Sequence, residues 1–222
     1  MKKAFTLAEV LITLGIIGVV AALVMPSLIS NYKKQETVSR LKKGYNTLSN
    51  ALRLSEVDNG DYETWDIASD IGVQNYFDKY WKPYLKTAQL CTTTNRCGYS
   101  SDQYSWRYRN SNTNNMLALD NTYGTSFKFM DGIFVCVRAF SGSSVSSSLI
   151  FIDINGAKGP NVLGTDVFQF NRISPNGVVP NGYDQTDAYV NDNCANVTGE
   201  YCAAKIMRDG WVINYDLNKY TR

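Results

Sequence analysis

The chain of 222 residues contains no histidine. Serine–histidine and cysteine–histidine nucleophile systems are therefore excluded, which leaves only lysine, carboxylate or tyrosine chemistry with no local signature to support it. Its five cysteines, Cys91, Cys97, Cys136, Cys194 and Cys202, are dispersed and include no Cys-x-x-Cys. Without imidazole or paired cysteines, a zinc site has little to be built from. Glycine-rich phosphate loops of the P-loop or dinucleotide type are also missing. These absences argue against an enzyme. Basic charge is scarce where a nucleic-acid surface would need it: residues 1 to 57 hold eight Lys or Arg against three acids, net +5, but residues 58 to 222 hold fourteen against seventeen, net −3. A broad nucleic-acid face on the larger part is not favoured. No internal repeat is present.

One long hydrophobic run is present. From Val10 to Ile29 the only polar side chains are Thr13 and Ser27, and a helix of about 20 such residues crosses a bilayer. Glu9 stands at its mouth, and a carboxylate in that setting usually has a partner. A cleaved secretory signal is the first alternative, given Lys2, Lys3 and the small residues Ala21 and Ala22. The run continues past that point to Ile29, and a signal core does not normally begin with Glu. An ordinary uncleaved anchor explains the hydrophobicity and leaves Glu9 unexplained.

Helical periodicity continues beyond the run. Val38, Leu41, Tyr45, Leu48 and Leu52 recur at spacings of three and four, one stripe of a helix facing a core. Asn59-Gly60 is a stop signal. The helix is thus expected from near Phe5 to Asp58, roughly 80 Å at the usual rise per residue, with Pro26 bending or loosening it. Its first half is apolar all round and its second half amphipathic. Beyond it, Phe77, Tyr80, Trp81, Tyr84 and Leu85 suggest a short aromatic helix interrupted near Pro83, and such a cluster reads as core. Strands are expected at Tyr104 to Arg109, Met116 to Leu119, Thr125 to Met130, Ile133 to Phe140, Leu149 to Ile154, Val167 to Ile173 and Trp211 to Tyr215. Asp131-Gly132 is a two-residue hairpin signal, Ser141 to Ser148 the next turn, and Glu200 to Arg208 a short helix. A long helix followed by an antiparallel sheet is an α+β arrangement.

The pairs Cys91/Cys97 and Cys194/Cys202 flank short polar loops, where local disulfides would tie down backbone in an oxidising compartment. Spacing alone leaves the connectivity open. Cys136, within an apolar run, reads as a buried thiol. In the segment from Asp153 to Asp166, the oxygens of Asp153, Asn155, Asn161 and Asp166 and several glycines are of the kind that collect around calcium. The favoured reading is nevertheless an ordinary connection in which Asp and Asn cap turns.

The stretch Lys2-Lys3-Ala4-Phe5-Thr6-Leu7-Ala8-Glu9-Val10-Leu11-Ile12 resembles the amino-terminal signature of type IV pilins and type II secretion pseudopilins, and Pro26 stands where that family often has a kinking proline. The resemblance covers about the first 30 residues. It implies cleavage by a prepilin peptidase between Ala4 and Phe5, where Ala4 replaces the family's usual glycine, and N-methylation of the new Phe5 amine. It divides the chain into a leader (1–4), a transmembrane and assembly helix (5–29), its amphipathic continuation (30–58) and an extracytoplasmic head (59–222). The Phe5 amine of one subunit would meet Glu9 of a neighbour, since a paired charge is tolerable in an apolar setting where a lone one is not. A carboxylate merely facing water at the interface is the weaker reading. Implied partners are the peptidase, other pilin or pseudopilin subunits, the bacterial inner membrane and the secretion or pilus assembly machinery, with the head in the periplasm or on an extracellular filament. The function implied is a structural subunit of a type II secretion pseudopilus or type IV pilus-like filament. The alternative is a minor pilin-like module displaying a recognition head for a surface, a secreted substrate or DNA. Some pseudopilins bind calcium in a head loop, which adds weight to the calcium reading of residues 153 to 166.

Overall fold

The computed structural model describes residues 6–66, 68–100, 106–110, 124–139, 147–173, 175–217 and 219. Ala4, Phe5, the strand expected at Met116 to Leu119, and most of the turn at Ser141 to Ser148 lie outside these residues. Two compact units divide the chain, Met1–Glu36 and Thr37–Arg222.

The first unit is the apolar part of helix α1, which runs Leu7–Asn59 and continues through Pro26. Proline removes the amide donor that would otherwise meet the carbonyl of Ala22. Within this unit the large apolar side chains from Leu7 to Ile29 are exposed, and none of the 18-residue apolar window is buried. The helix is long and apolar enough to cross a membrane.

The second unit begins with the amphipathic half of the same helix. Leu41, Leu48 and Leu52 are buried, with Val38 and Tyr45 packed partly against the same core; each fully buried leucine contributes roughly 1.5–3 kcal/mol. The helix ends at Asn59, and Gly60 follows at φ 81°, donating its N–H to the Glu56 carbonyl. A 3-10 turn at Tyr62–Thr64, α2 (Ala68–Ile71) and α3 (Val73–Tyr80) come next. Six strands follow: β1 Gln89–Cys91, β2 Gly124–Lys128, β3 Phe134–Ala139, β4 Ser147–Asp153, β5 Val167–Ile173 and β6 Gly177–Pro180. They form one antiparallel sheet in sequence order, and α4 (Asp187–Asn196) and α5 (Cys202–Arg208) complete the α+β head.

The sheet is covered on both faces. Phe127, Val135, Val137, Ile150, Ile152, Phe168 and Phe170 meet α1 and the aromatic residues of α3. The other face, with Phe134, Cys136 and Phe151, is sealed by Tyr99 and Trp106 from the connection between β1 and β2. α1 lies close to the sheet because residue 44 is glycine: a Cβ there would sit 3.0 Å from Ile152 Cγ2. Buried Arg172 on β5 pairs with Glu56, tying the last turns of the helix to the sheet.

Several elements depart from the sequence reading. Trp211 to Tyr215 is irregular and not a strand, because α5 ends in two successive left-handed residues, Gly210 and Trp211, and the Trp211 N–H caps the Ile206 carbonyl. In the 104–109 segment, of which 106–109 are described, Arg107 makes only an isolated bridge to Val162. Asp131-Gly132 does lie in the β2–β3 hairpin, but the loop holds three residues. Phe129 and Ile133 still pair, Gly132 N–H returns to the Phe129 carbonyl, and Gly132 sits at φ 89°, the three-residue turn with a glycine bulge.

Candidate functional site

Two places carry the candidate residues, the start of α1 and the 153–166 loop. At the helix start, Thr6 N–H and Thr6 Oγ1 both donate to Glu9 Oε2 at 2.9 Å, and Glu9 N–H donates to Thr6 Oγ1 at 3.3 Å. This is a reciprocal capping box, in which two helix-start amides that have no intrahelical acceptor are satisfied. Thr-x-x-Glu ahead of an apolar run is the sequence signal for it, one that hydrophobic patterning alone does not pick out. Thr13 Oγ1 donates back to the Glu9 carbonyl at 2.9 Å. Glu9 thus has an intramolecular role that holds whatever it meets on another chain.

In the head, Cys91 is bonded to Cys97 and Cys194 to Cys202, with Cα–Cα separations of 5.5 and 4.6 Å. Cys136 is in neither disulfide and is buried on β3. Burial pushes its thiol up to about 11, so it is not a reactive thiolate at neutral pH.

The 153–166 loop brings Asp153, Asn155, Asn161 and Asp166 together. Asp153 closes β4 and is fully buried; its Oδ2 accepts from Tyr99 Oη at 2.6 Å and Trp106 Nε1 at 3.1 Å, and its Oδ1 from the Asn155 N–H at 3.1 Å. Asp166 Oδ1 accepts from the Val162 N–H at 2.7 Å, and its Oδ2 from the Asn161 N–H at 2.8 Å and Asn155 Nδ2 at 3.3 Å. Both carboxylates are therefore hubs of loop structure. Tyr99 and Trp106 reach Asp153 from about 50 residues away, and no short-range signal marks them.

Burial, reinforced by the charge of Asp166, pushes the Asp153 carboxyl well above the ordinary range. Burial likewise raises Asp166, outweighing its amide donors. Asn155 Oδ1 and Asn161 Oδ1 are buried with no hydrogen-bond partner. Two buried carboxyl groups and two amide oxygens without a hydrogen-bond partner thus lie along this loop, all of them hard oxygen atoms of the kind calcium takes. Among the described residues no group of three or more His, Cys, Asp or Glu gathers as a metal cluster, in this loop or outside it.

The fold and these places define a class: an α+β head whose first helix extends into a segment long and apolar enough to cross a membrane. The chain belongs to the family described as a family of unknown function, DUF6613, which matches residues 27–180. It is also 39% identical over 66 residues to the type II secretion system core protein G of Escherichia coli (strain K12). That match covers 28% of this chain and 43% of the relative, less than half the relative's length. No solved structure matches the chain.

Proposed function

We propose that this chain is a membrane-anchored structural subunit of a pilin-like filament, of the kind that serves type II secretion. A prepilin peptidase cuts it between Ala4 and Phe5, the Phe5 amine is methylated, and subunits assemble through their apolar helices. The observation that carries the reading is the contrast between the two units: apolar side chains from Leu7 to Ile29 lie uncovered, while the head seals both faces of its sheet. Such a surface needs lipid or other apolar helices around it. The similarity to the type II secretion core protein and the leader motif support the same assignment. Glu9 and the Phe5 amine of a neighbour form the pair that lets a charge enter the helix bundle. Mass spectrometry of the assembled protein is expected to find a chain beginning at methylated Phe5; an intact Met1 in the assembled form refutes the processing step.

A second reading concerns the head loop. The orphaned oxygens of Asn155 and Asn161 beside Asp153 and Asp166 favour a bound calcium ion, which would neutralise two buried carboxylates and fix the loop against Tyr99 and Trp106. Millimolar calcium is expected to raise the thermal midpoint of the head and a chelator to lower it. A midpoint indifferent to calcium returns the loop to an ordinary turn network.

A further inference from the structure

Four Asn-Gly pairs occur in the chain, at Asn59, Asn155, Asn176 and Asn181. The amide of asparagine is thermally labile, and most so before glycine, whose missing Cβ lets its main-chain nitrogen approach the asparagine side-chain carbonyl carbon. The fold treats these pairs differently. Asn59 Nδ2 donates to the Ser55 carbonyl and to Tyr84 Oη at 3.1 Å each, and the Gly60 N–H is committed to the Glu56 carbonyl at 3.0 Å. Asn155 Nδ2 donates to Asp166 Oδ2 at 3.3 Å, and Gly156 is packed so closely that a Cβ there would sit 2.8 Å from the Gly132 carbonyl oxygen. The Asn181 N–H meets the Gln169 carbonyl at 3.1 Å, its Oδ1 accepts from Asn171 Nδ2 at 3.1 Å, and a Cβ on Gly182 would sit 2.7 Å from the Tyr201 ring. Bringing glycine nitrogen to side-chain carbon at any of these places breaks several contacts at once.

Asn176 is the exception. Pro175 and Asn176 lie in the turn between β5 and β6, both are exposed, and among the described residues the Asn176 side chain has no hydrogen-bond partner. Gly177, at φ 74°, opens β6 and pairs with Ile173 in the last rung of the ladder, and nothing lies within 4 Å of where its Cβ would be. The end of a ladder is where strand pairing opens most readily.

We propose that Asn176 is a site of spontaneous covalent modification, converting with age to aspartate and isoaspartate while the other Asn-Gly pairs persist. The Gly177 amide nitrogen, having given its proton to hydroxide, attacks Asn176 Cγ; the new N–Cγ bond closes a cyclic imide, and Nδ2 takes a proton from water and leaves as ammonia. Water then opens the imide at either carbonyl. Addition at Cγ breaks the new bond and yields aspartate. Addition at the main-chain carbonyl carbon breaks the original peptide bond and leaves the chain running through Cβ and Cγ. Both products carry an added negative charge, and the second lengthens the main chain by a methylene. That methylene falls in the turn that sets the register of β6. β6 is the last strand of the sheet, with β5 its neighbour; the burial of Val178, and the bond its carbonyl accepts from Tyr45 Oη at 3.2 Å, depend on that register. An isoaspartyl turn therefore loosens β6 from both β5 and α1.

The test ages the full chain in detergent at mildly alkaline pH, in water enriched in heavy oxygen, both folded and in urea, and maps it by mass spectrometry with fragmentation that separates aspartate from isoaspartate. In the folded chain, position 176 is expected to take up label severalfold faster than positions 59, 155 and 181; in urea all are expected to convert alike. Asn176→Gln, whose longer side chain closes the corresponding ring far more slowly, is expected to abolish the folded signal. Label appearing first at another pair, no label at 176, or a preference for 176 that survives in urea overturns the proposal. Hydrogen exchange at Val178 and Val179 is expected to quicken in the aged chain and not in aged Asn176→Gln; equal exchange in the two overturns the loosening of β6.

Discussion

Replacing Glu9 separates two roles that the structure superimposes on one carboxylate. In Glu9→Ala both the capping box with Thr6 and the negative charge are lost. Glu9→Gln keeps an oxygen for the Thr6 N–H and hydroxyl, because glutamine serves in the same box, but it has no charge to offer a neighbour's amine. Loss of an N-terminal cap costs about 0.5–2 kcal/mol, whereas removing one partner of a buried ion pair costs about 3–5 kcal/mol. If assembly depends on the pair, both variants should fall by about two orders of magnitude or more in the ratio of assembled to membrane-stored subunit, since 1.4 kcal/mol is a factor of ten. If only the helix start matters, Gln should behave as wild type and Ala should fall by at most about thirtyfold. The assay is the fraction recovered in sheared filaments, with carbonate extraction of membranes confirming that insertion is unchanged. A Gln variant that assembles normally refutes the charge pairing and leaves Glu9 as a helix cap.

The buried carboxylates make a pH prediction. Because Asp153 and Asp166 are both raised above 3.8, their contribution to stability is present below that pH and is lost as pH rises. In chelator, wild type should therefore lose stability relative to Asp153→Asn as pH rises above about 4, and calcium should reverse the difference; parallel melting curves for the two proteins would sink this argument. Removing the Cys194–Cys202 disulfide, which spans 8 residues of sequence, as Cys194→Ala with Cys202→Ala should cost about 2.5 kcal/mol, measured by urea unfolding of the head, and an unchanged midpoint counts against it.

Much of the fold was legible where local pattern and tertiary role agree. The stripe from Val38 to Leu52 and the stop at Asn59-Gly60 are periodic and capped, and β5 is apolar and β-branched or aromatic enough to be bounded at Val167 and Ile173. β6, Gly-Val-Val-Pro, begins and ends in residues that read as punctuation, and only pairing with β5 makes it a strand. α4 hides differently: Asp-Ala-Tyr-Val-Asn-Asp-Asn-Cys-Ala-Asn has no apolar stripe, and it is started by the Thr186 cap and joined to α5 by the disulfide. In the loop, the oxygen-bearing residues could be named from sequence, but the burial that gives them their chemistry comes from Tyr99 and Trp106, whose approach depends on the whole sheet being in place.

The order of the strands has a consequence for how the chain matures. Tyr45 stacks on Phe170 with centroids 5.4 Å apart, and Gly44 rests against Ile152. The amphipathic stripe of α1 is therefore made early and covered late, its partners emerging more than a hundred residues afterwards. At a synthesis rate of about 5–20 residues per second, the interval is on the order of 5–25 s. Throughout it the nascent helix is sticky along its whole length, and only the arrival of β4 and β5 separates a half that must stay greasy from a half that must not.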